Sequence, residues 1–251
     1  MLLAAAPADR TARTLDLAGP FATRSSWRLT VTQAADIPDP IMDDGGRVPG
    51  PLTFCMTRDG DRSCDPHVGD SLRGSGADDV FDTAHDLQRL AIMRPRAAQP
   101  LLLLQIGSLR SVNGNQRVGT ELYRYDRAAD RFTRVYRHQN GRNNNEEVRY
   151  IAAGPLDGAV IAAEPTGDAP FGYWMTVERR GAGGAYRPVL RYRSATRYGD
   201  GNPLAVIDSE MPAIQRRLGL WRPGRPLPVP AHCATPRLIR RALWCDAPPA
   251  P

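Results

Sequence analysis

The sequence predicts a mainly β, antiparallel fold: a sandwich-like or open-barrel domain with one short helix near residues 211–220. Three observations carry this. Apolar stretches with strand periodicity recur about every ten residues from Trp27 onward. Gly- and Pro-bearing turns separate them, and only one segment offers a helical apolar face. A small β-propeller is the alternative, because residues 122–126 and 132–136 resemble the inner hairpin of a blade. The roughly 195 residues from Trp27 to Trp221 would hold about four blades, the bottom of the range that closes a ring. A sandwich needs no such closure.

Taken in order, Trp27, Leu29 and Val31 alternate with Arg28, Thr30 and Thr32, the period of a half-buried strand. Residues 51–57 and 90–93 are further candidates. The run from Leu101 to Ile106 is almost wholly apolar and short, as in a strand buried on both faces. Three hairpins follow: 121–126 with 131–138, 148–153 with 159–163, and 171–179 with 185–193, the last across a Gly-rich turn. Residues 204–207 read as one more strand. The helix comes next, with Ser209 as cap, Pro212 near its first turn and Ile214, Leu218 and Leu220 on its apolar side. Arg216 and Arg217 fall late in it, where the macrodipole favours cations.

These segments suggest three regions. Residues 1–25 read as a signal remnant or flexible terminus and 26–220 as a single β-rich domain containing an Asp-rich loop region over 36–86. Residues 221–251 read as a Pro-rich tail pinned by a disulfide. The tail holds 8 Pro in 31 residues, and Pro withholds ladder donors, so the tail is expected along the surface.

The chain has 251 residues, 33 basic and 27 acidic, for a net charge of +6, and every basic residue is Arg. Mean hydropathy is −0.42 and the longest aliphatic run is Leu101 to Leu104. A membrane-spanning helix, a collagen, a coiled coil and a wholly disordered chain are excluded. Charge is uneven: residues 1–100 carry −3, with 14 Asp and no Glu, and residues 101–251 carry +9.

Four cysteines fall into two close pairs, Cys55 with Cys64 and Cys233 with Cys245. Neither pair is CxxC, which disfavours a thioredoxin-like site and a zinc ribbon. Local disulfides are the expected use. The first eight residues look like the end of a secretory hydrophobic segment, with Ala6-Pro7-Ala8 as a small-x-small site before Asp9. Both features point to a periplasmic or secreted protein.

Candidate chemistry is sparse. If residues 204–207 extend as a strand, Asp208 and Glu210 share one face and could act as acid and base in glycoside hydrolysis or, with Asp200, hold a hard cation. Their structural alternative is helix capping by Asp208 and Ser209, with Glu210 complementing the dipole. The Asp-rich loops (Asp43-Asp44, Asp59-Gly60-Asp61, Asp78-Asp79) lack EF-hand spacing, and Asp59-Gly60 reads as a chain reversal. His67, His85, His138 and His232 show no metal-ligand spacing. No nucleophile elbow, Walker loop or dinucleotide fingerprint is present, so neither a cofactor nor a metal is expected.

Arginine is the remaining signal. Arg187, Arg191 and Arg193 have one parity along a strand, and Arg216-Arg217, Arg222, Arg225 and Arg240-Arg241 crowd the same half. Guanidinium forks suit carboxylate, phosphate or sulfate. Asn143, Asn144 and Asn145 lie in an amide-rich loop suited to sugar hydroxyls. The sequence thus favours a non-catalytic, exported binding module for an acidic protein or anionic glycan, with nucleic acid disfavoured. A periplasmic carbohydrate-active enzyme using Asp208 and Glu210, or a structural component of an envelope assembly, are the alternatives.

Overall fold

The computed structural model of the chain describes residues 10–42, 45–60, 64–74, 80–96, 99–141, 146–230 and 233–246. The fold is mainly β with antiparallel sheets, sandwich-like, and no sheet closes into a barrel. It divides into two compact units, residues 1–144 and 145–251. The boundary falls inside the stretch 26–220 that periodicity presents as one domain.

The first unit contains β1 (Arg10–Asp16), the one-turn α1 (Ala18–Phe21), β2 (Trp27–Gln33), β3 (Ile37–Pro38), β4 (Arg47–Val48) and β5 (Leu52–Arg58). It continues with β6 (Asp86–Met93), β7 (Leu101–Arg110), β8 (Gln116–Asp126) and β9 (Arg131–Gln139). β1-β2-β5 form one sheet and β6-β7-β8-β9 another, while β3 and β4 pair by themselves. The two larger sheets share one core. Leu29, Val31, Phe54 and Met56 meet Leu102, Leu104, Tyr123 and Phe132 there. Leu101 to Leu104 are all buried, on both faces of β7, as the apolar run requires. β1 lies in the stretch read from sequence as a flexible terminus. Asp59 and Gly60, both at positive φ, make the reversal after β5, and a Cys55–Cys64 disulfide staples it.

The second unit contains β10 (Glu147–Tyr150), β11 (Val160–Pro165), β12 (Gly172–Arg180), β13 (Tyr186–Arg197), α2 (Val206–Arg217), β14 (Ala234–Ile239) and β15 (Ala242–Asp246). β10 to β13 form a four-stranded antiparallel meander. Its inner face (Ile161, Ala163, Tyr173, Met175, Val177, Tyr192) packs on Ile207 and Ile214 of α2. β14 and β15 form a separate hairpin that packs on α2, and Cys233–Cys245 links its ends. Among the described residues there are two four-stranded meanders, not the four blades that a propeller ring needs.

Sequence periodicity errs at α2. Residues 204–207 are not a strand: Val206 and Ile207 are helical, so α2 begins about five residues earlier than expected. The capping reading fails with it. Ala205 is the N-cap and no side chain of its own caps the helix. Instead the Ile207 N–H donates to Glu147 Oε2 on β10, at 3.1 Å. A carboxylate sixty residues away does the work expected of Ser209. Pro212 consequently lies inside the helix rather than near its first turn.

Candidate functional site

Asp208 and Glu210 lie two residues apart on a helix, so their side chains diverge by about 200°. Asp208 forms a bidentate pair with Arg149 of β10, at 2.5 and 3.1 Å. Arg149 also contacts Glu147, so one guanidinium bridges the helix N-terminus to the sheet. Glu210 is wholly buried. Its Oε1 accepts the Ala195 N–H, the Thr196 N–H and the Thr196 hydroxyl, each at 2.8 Å. Its Oε2 accepts the Tyr192 hydroxyl at 2.9 Å. The register explains this need. β12 and β13 slip between Gly172 and Trp174, which takes two consecutive N–H groups of β13 off the ladder, and the carboxylate collects both. Burial, then the Glu210 charge, push the Tyr192 phenol far above its ordinary range.

The same strand changes the expected arginine stripe. Arg191 and Arg193 oppose Thr176 and Trp174, and both guanidiniums lie over the Trp174 ring, 4.7 and 5.1 Å from its centroid. A second irregularity, between Val177 and Glu178, inserts Val189 into β13. The extra residue flips the alternation, so Arg187, opposite Arg179, belongs to the other face. The stripe is therefore a pair. All three arginines are exposed, and among the described residues none of the three forms an ion pair. Asn143, Asn144 and Asn145 lie outside the described residues, as do Asp43, Asp44, Asp61, Asp78, Asp79 and His232.

A larger feature lies at the C-terminal end of α2. Gly219, at φ +70°, turns the chain off the helix, and the Leu220 and Trp221 N–H groups both donate to Gln215 O, at 2.8 and 3.2 Å. Pro223-Gly224 then makes a reversal closed by Arg225 N–H to Arg222 O, with Gly224 at φ +89°. Pro at the first corner and a left-handed Gly at the second define a type II turn. The Trp221 indole N–H donates to Pro226 O at 2.8 Å, fixing the ring. Between this loop, the end of α2 and β14 runs a groove of about 740 Å³. Trp221, Leu227, Leu238 and Pro212 contribute apolar surface, and Arg216, Arg217, Arg225, Arg237 and Arg241 surround it.

Charge here is one-sided. Residues 211–245 contain seven Arg and no Asp or Glu. Arg217 stacks on the Tyr192 ring at 4.3 Å, and Arg216, Arg225, Arg240 and Arg241 form no ion pair among the described residues. The first unit offers a contrast. A depression of about 680 Å³ there also carries Arg58, Arg131 and Arg134. However, Arg58 reaches Asp130, and Arg134 is held by Asp70 and the buried Glu121. Glu121 accepts the Gly69 and Ser71 N–H groups and the Tyr123 hydroxyl. That cluster pins the loop of residues 64–74 to β8. Among the described histidines, His85 contacts Pro49 O at 2.7 Å. His138 stacks on Tyr136 and lies with Glu146 and Glu164, their potential ligand atoms all within 4.8 Å of one another.

Sequence reasoning named most of these C-terminal arginines but not the groove. The available signal was the 35-residue absence of acid around them, together with Trp221 among prolines. Comparison of the chain with protein-family models, curated proteins and solved structures finds no match. The fold and site therefore define the chain only as a disulfide-bonded, two-unit β protein with an arginine-lined groove. Among the described residues no helix is long and apolar enough to cross a membrane.

Proposed function

We propose that this chain is an exported, non-catalytic binding module that recognises an anionic partner through the groove of its second unit. One observation carries the reading: five arginines surround an apolar groove within a 35-residue stretch that holds no acid. Arg216, Arg225 and Arg241 form no ion pair among the described residues, and cations so placed around apolar surface leave a net positive potential that an anion can neutralise. The groove walls are stiffened by Pro223, Pro226 and Pro228, by the Trp221 bond to Pro226 and by Cys233–Cys245, so little ordering is lost on binding. Two disulfides support an oxidising compartment. The Arg191–Trp174–Arg193 cluster supplies a second, smaller anionic contact. Against catalysis by Asp208 and Glu210 stands the commitment of each to structural partners.

Poly-L-glutamate is a suitable probe, titrated by fluorescence anisotropy at 50 and 300 mM NaCl. The reading expects an affinity that falls at least tenfold over this salt range. It also expects a tenfold or greater loss in the Arg216→Gln/Arg217→Gln/Arg225→Gln variant. Equal affinity for variant and parent overturns it.

A further inference from the structure

The hairpin β14–β15 carries a conformation that its sequence does not favour. Its two corner residues are Arg240 and Arg241, at φ +51° and +78°. Two-residue hairpin turns with both corners left-handed strongly prefer Asn-Gly, because a Cβ is crowded there. Arginine at both corners weakens the turn, and such outliers concentrate at functional sites.

Register shows what the hairpin presents. Ile239 opposes Ala242 across the turn, so this closing pair exchanges hydrogen bonds and Leu238–Leu243 is the next, wide pair. Leu243 O confirms the direction by accepting Asn202 Nδ2 at 2.9 Å and Ser209 Oγ at 3.2 Å on the side away from β14. By the same geometry, Leu238 directs its N–H and C=O outward from the other edge. No strand lies beside that edge among the described residues. Every residue of β14 is exposed. Pro236, Arg237 and Leu238 are consecutive, and all three line the groove. Side chains alternate along a strand, so the groove runs along the edge of β14 rather than over one face.

We propose that the groove receives an extended acidic segment of a partner protein, which adds beside β14. Its main chain pairs with Leu238, an apolar side chain rests against Trp221 and Leu227, and its carboxylates meet Arg216, Arg225 and Arg241. This rests on the groove being the anion site. The outward donor–acceptor pair of Leu238 favours a polypeptide over a lipid headgroup or polyphosphate, since only a peptide main chain complements both groups. Carboxylates also match guanidinium forks.

The probe is a fluorescein-labelled heptapeptide alternating Asp with Val and Leu. It is compared with the same peptide N-methylated at alternate nitrogens, with polyphosphate and with phosphatidylglycerol vesicles. The N-methylated peptide should bind at least tenfold more weakly, and polyphosphate and vesicles more weakly than the parent peptide. Arg240→Asn/Arg241→Gly should raise the thermal midpoint, because it restores the favoured turn, and yet weaken the peptide about tenfold. A better-folded variant that loses binding has lost it through the Arg241 guanidinium, which lines the groove. Equal binding by the N-methylated peptide, or tighter binding by vesicles or polyphosphate, overturns strand addition. If poly-L-glutamate binding is still abolished by Arg216→Gln/Arg217→Gln/Arg225→Gln, the anion reading survives that result. If no anion binds, both fall.

Discussion

Replacing Glu210 by Ala would remove the one acceptor that serves the displaced edge of β13. The Ala195 and Thr196 N–H groups and the Tyr192 hydroxyl then lose their partner. The Thr196 hydroxyl does not, because Ser209 Oγ lies 2.7 Å away. Each buried orphan costs about 1–3 kcal/mol, and water entering the vacated space offsets part of this. The expected loss is about 3–5 kcal/mol. Glu210→Gln is different: a carbonyl oxygen in place of Oε1 keeps both N–H bonds, and the amide can donate to the Tyr192 oxygen. Only the charge assistance is lost, about 1 kcal/mol. Three of the four tryptophans (Trp174, Trp221, Trp244) lie in the second unit, so urea unfolding followed by tryptophan fluorescence reports mainly on it. A Gln variant as unstable as the Ala variant, or an Ala variant within about 1 kcal/mol of the parent, would refute the assignment of Glu210 as a structural acceptor.

Other expectations follow the same logic. Hydrogen bonds from Ser25, Tyr125 and Trp27 hold the Asp130 carboxyl down to about 2. Its stabilising effect is therefore present above the unfolded value near 4 and disappears as pH falls toward 2; an NMR titration placing Asp130 near 4 would contradict this. Arg149→Ala leaves Glu147 and Asp208 without their shared cation and should cost about 1–3 kcal/mol in urea, whereas an unchanged midpoint would dissociate this bridge from stability. Cys233→Ser/Cys245→Ser opens a short loop and should cost about 3 kcal/mol while weakening poly-L-glutamate binding, because β14 forms one groove wall; unchanged affinity would remove the hairpin from the site. Arg191→Gln/Arg193→Gln should lower poly-L-glutamate affinity less than threefold, and a larger loss would move the main site to the sheet face.

Strand periodicity was legible wherever one local pattern decided the structure, as at Trp27 to Thr32 and in the buried run after Leu101. The same rule failed where distant groups decide. Residues 204–207 are too short to distinguish strand from helix by pattern, and the acceptor that starts α2, Glu147, is remote in sequence. Parity alone placed Arg187 beside Arg191, because the bulge at Val189 has no local marker such as Gly. The β14–β15 hairpin was hidden for a related reason. Pro236 and an Arg-Arg turn oppose every hairpin signal, and the hairpin persists through its disulfide and its packing on α2. Arginine content was visible in the sequence, but which arginines lack acidic partners is a tertiary fact. That fact separates the groove from the first unit's depression, where Asp70, Glu121 and Asp130 already engage Arg58 and Arg134.

The most direct test is a ¹H–¹⁵N titration of the full chain with the alternating acidic heptapeptide. The account predicts that the Trp221 indole N–H, the Leu238 amide and the Arg216, Arg225 and Arg241 side-chain signals move together along one saturating curve. It also predicts that exchange of the Leu238 amide with solvent slows in the bound state. Shifts confined to the first unit, or a Leu238 amide that exchanges at its free rate while the peptide is bound, would contradict it.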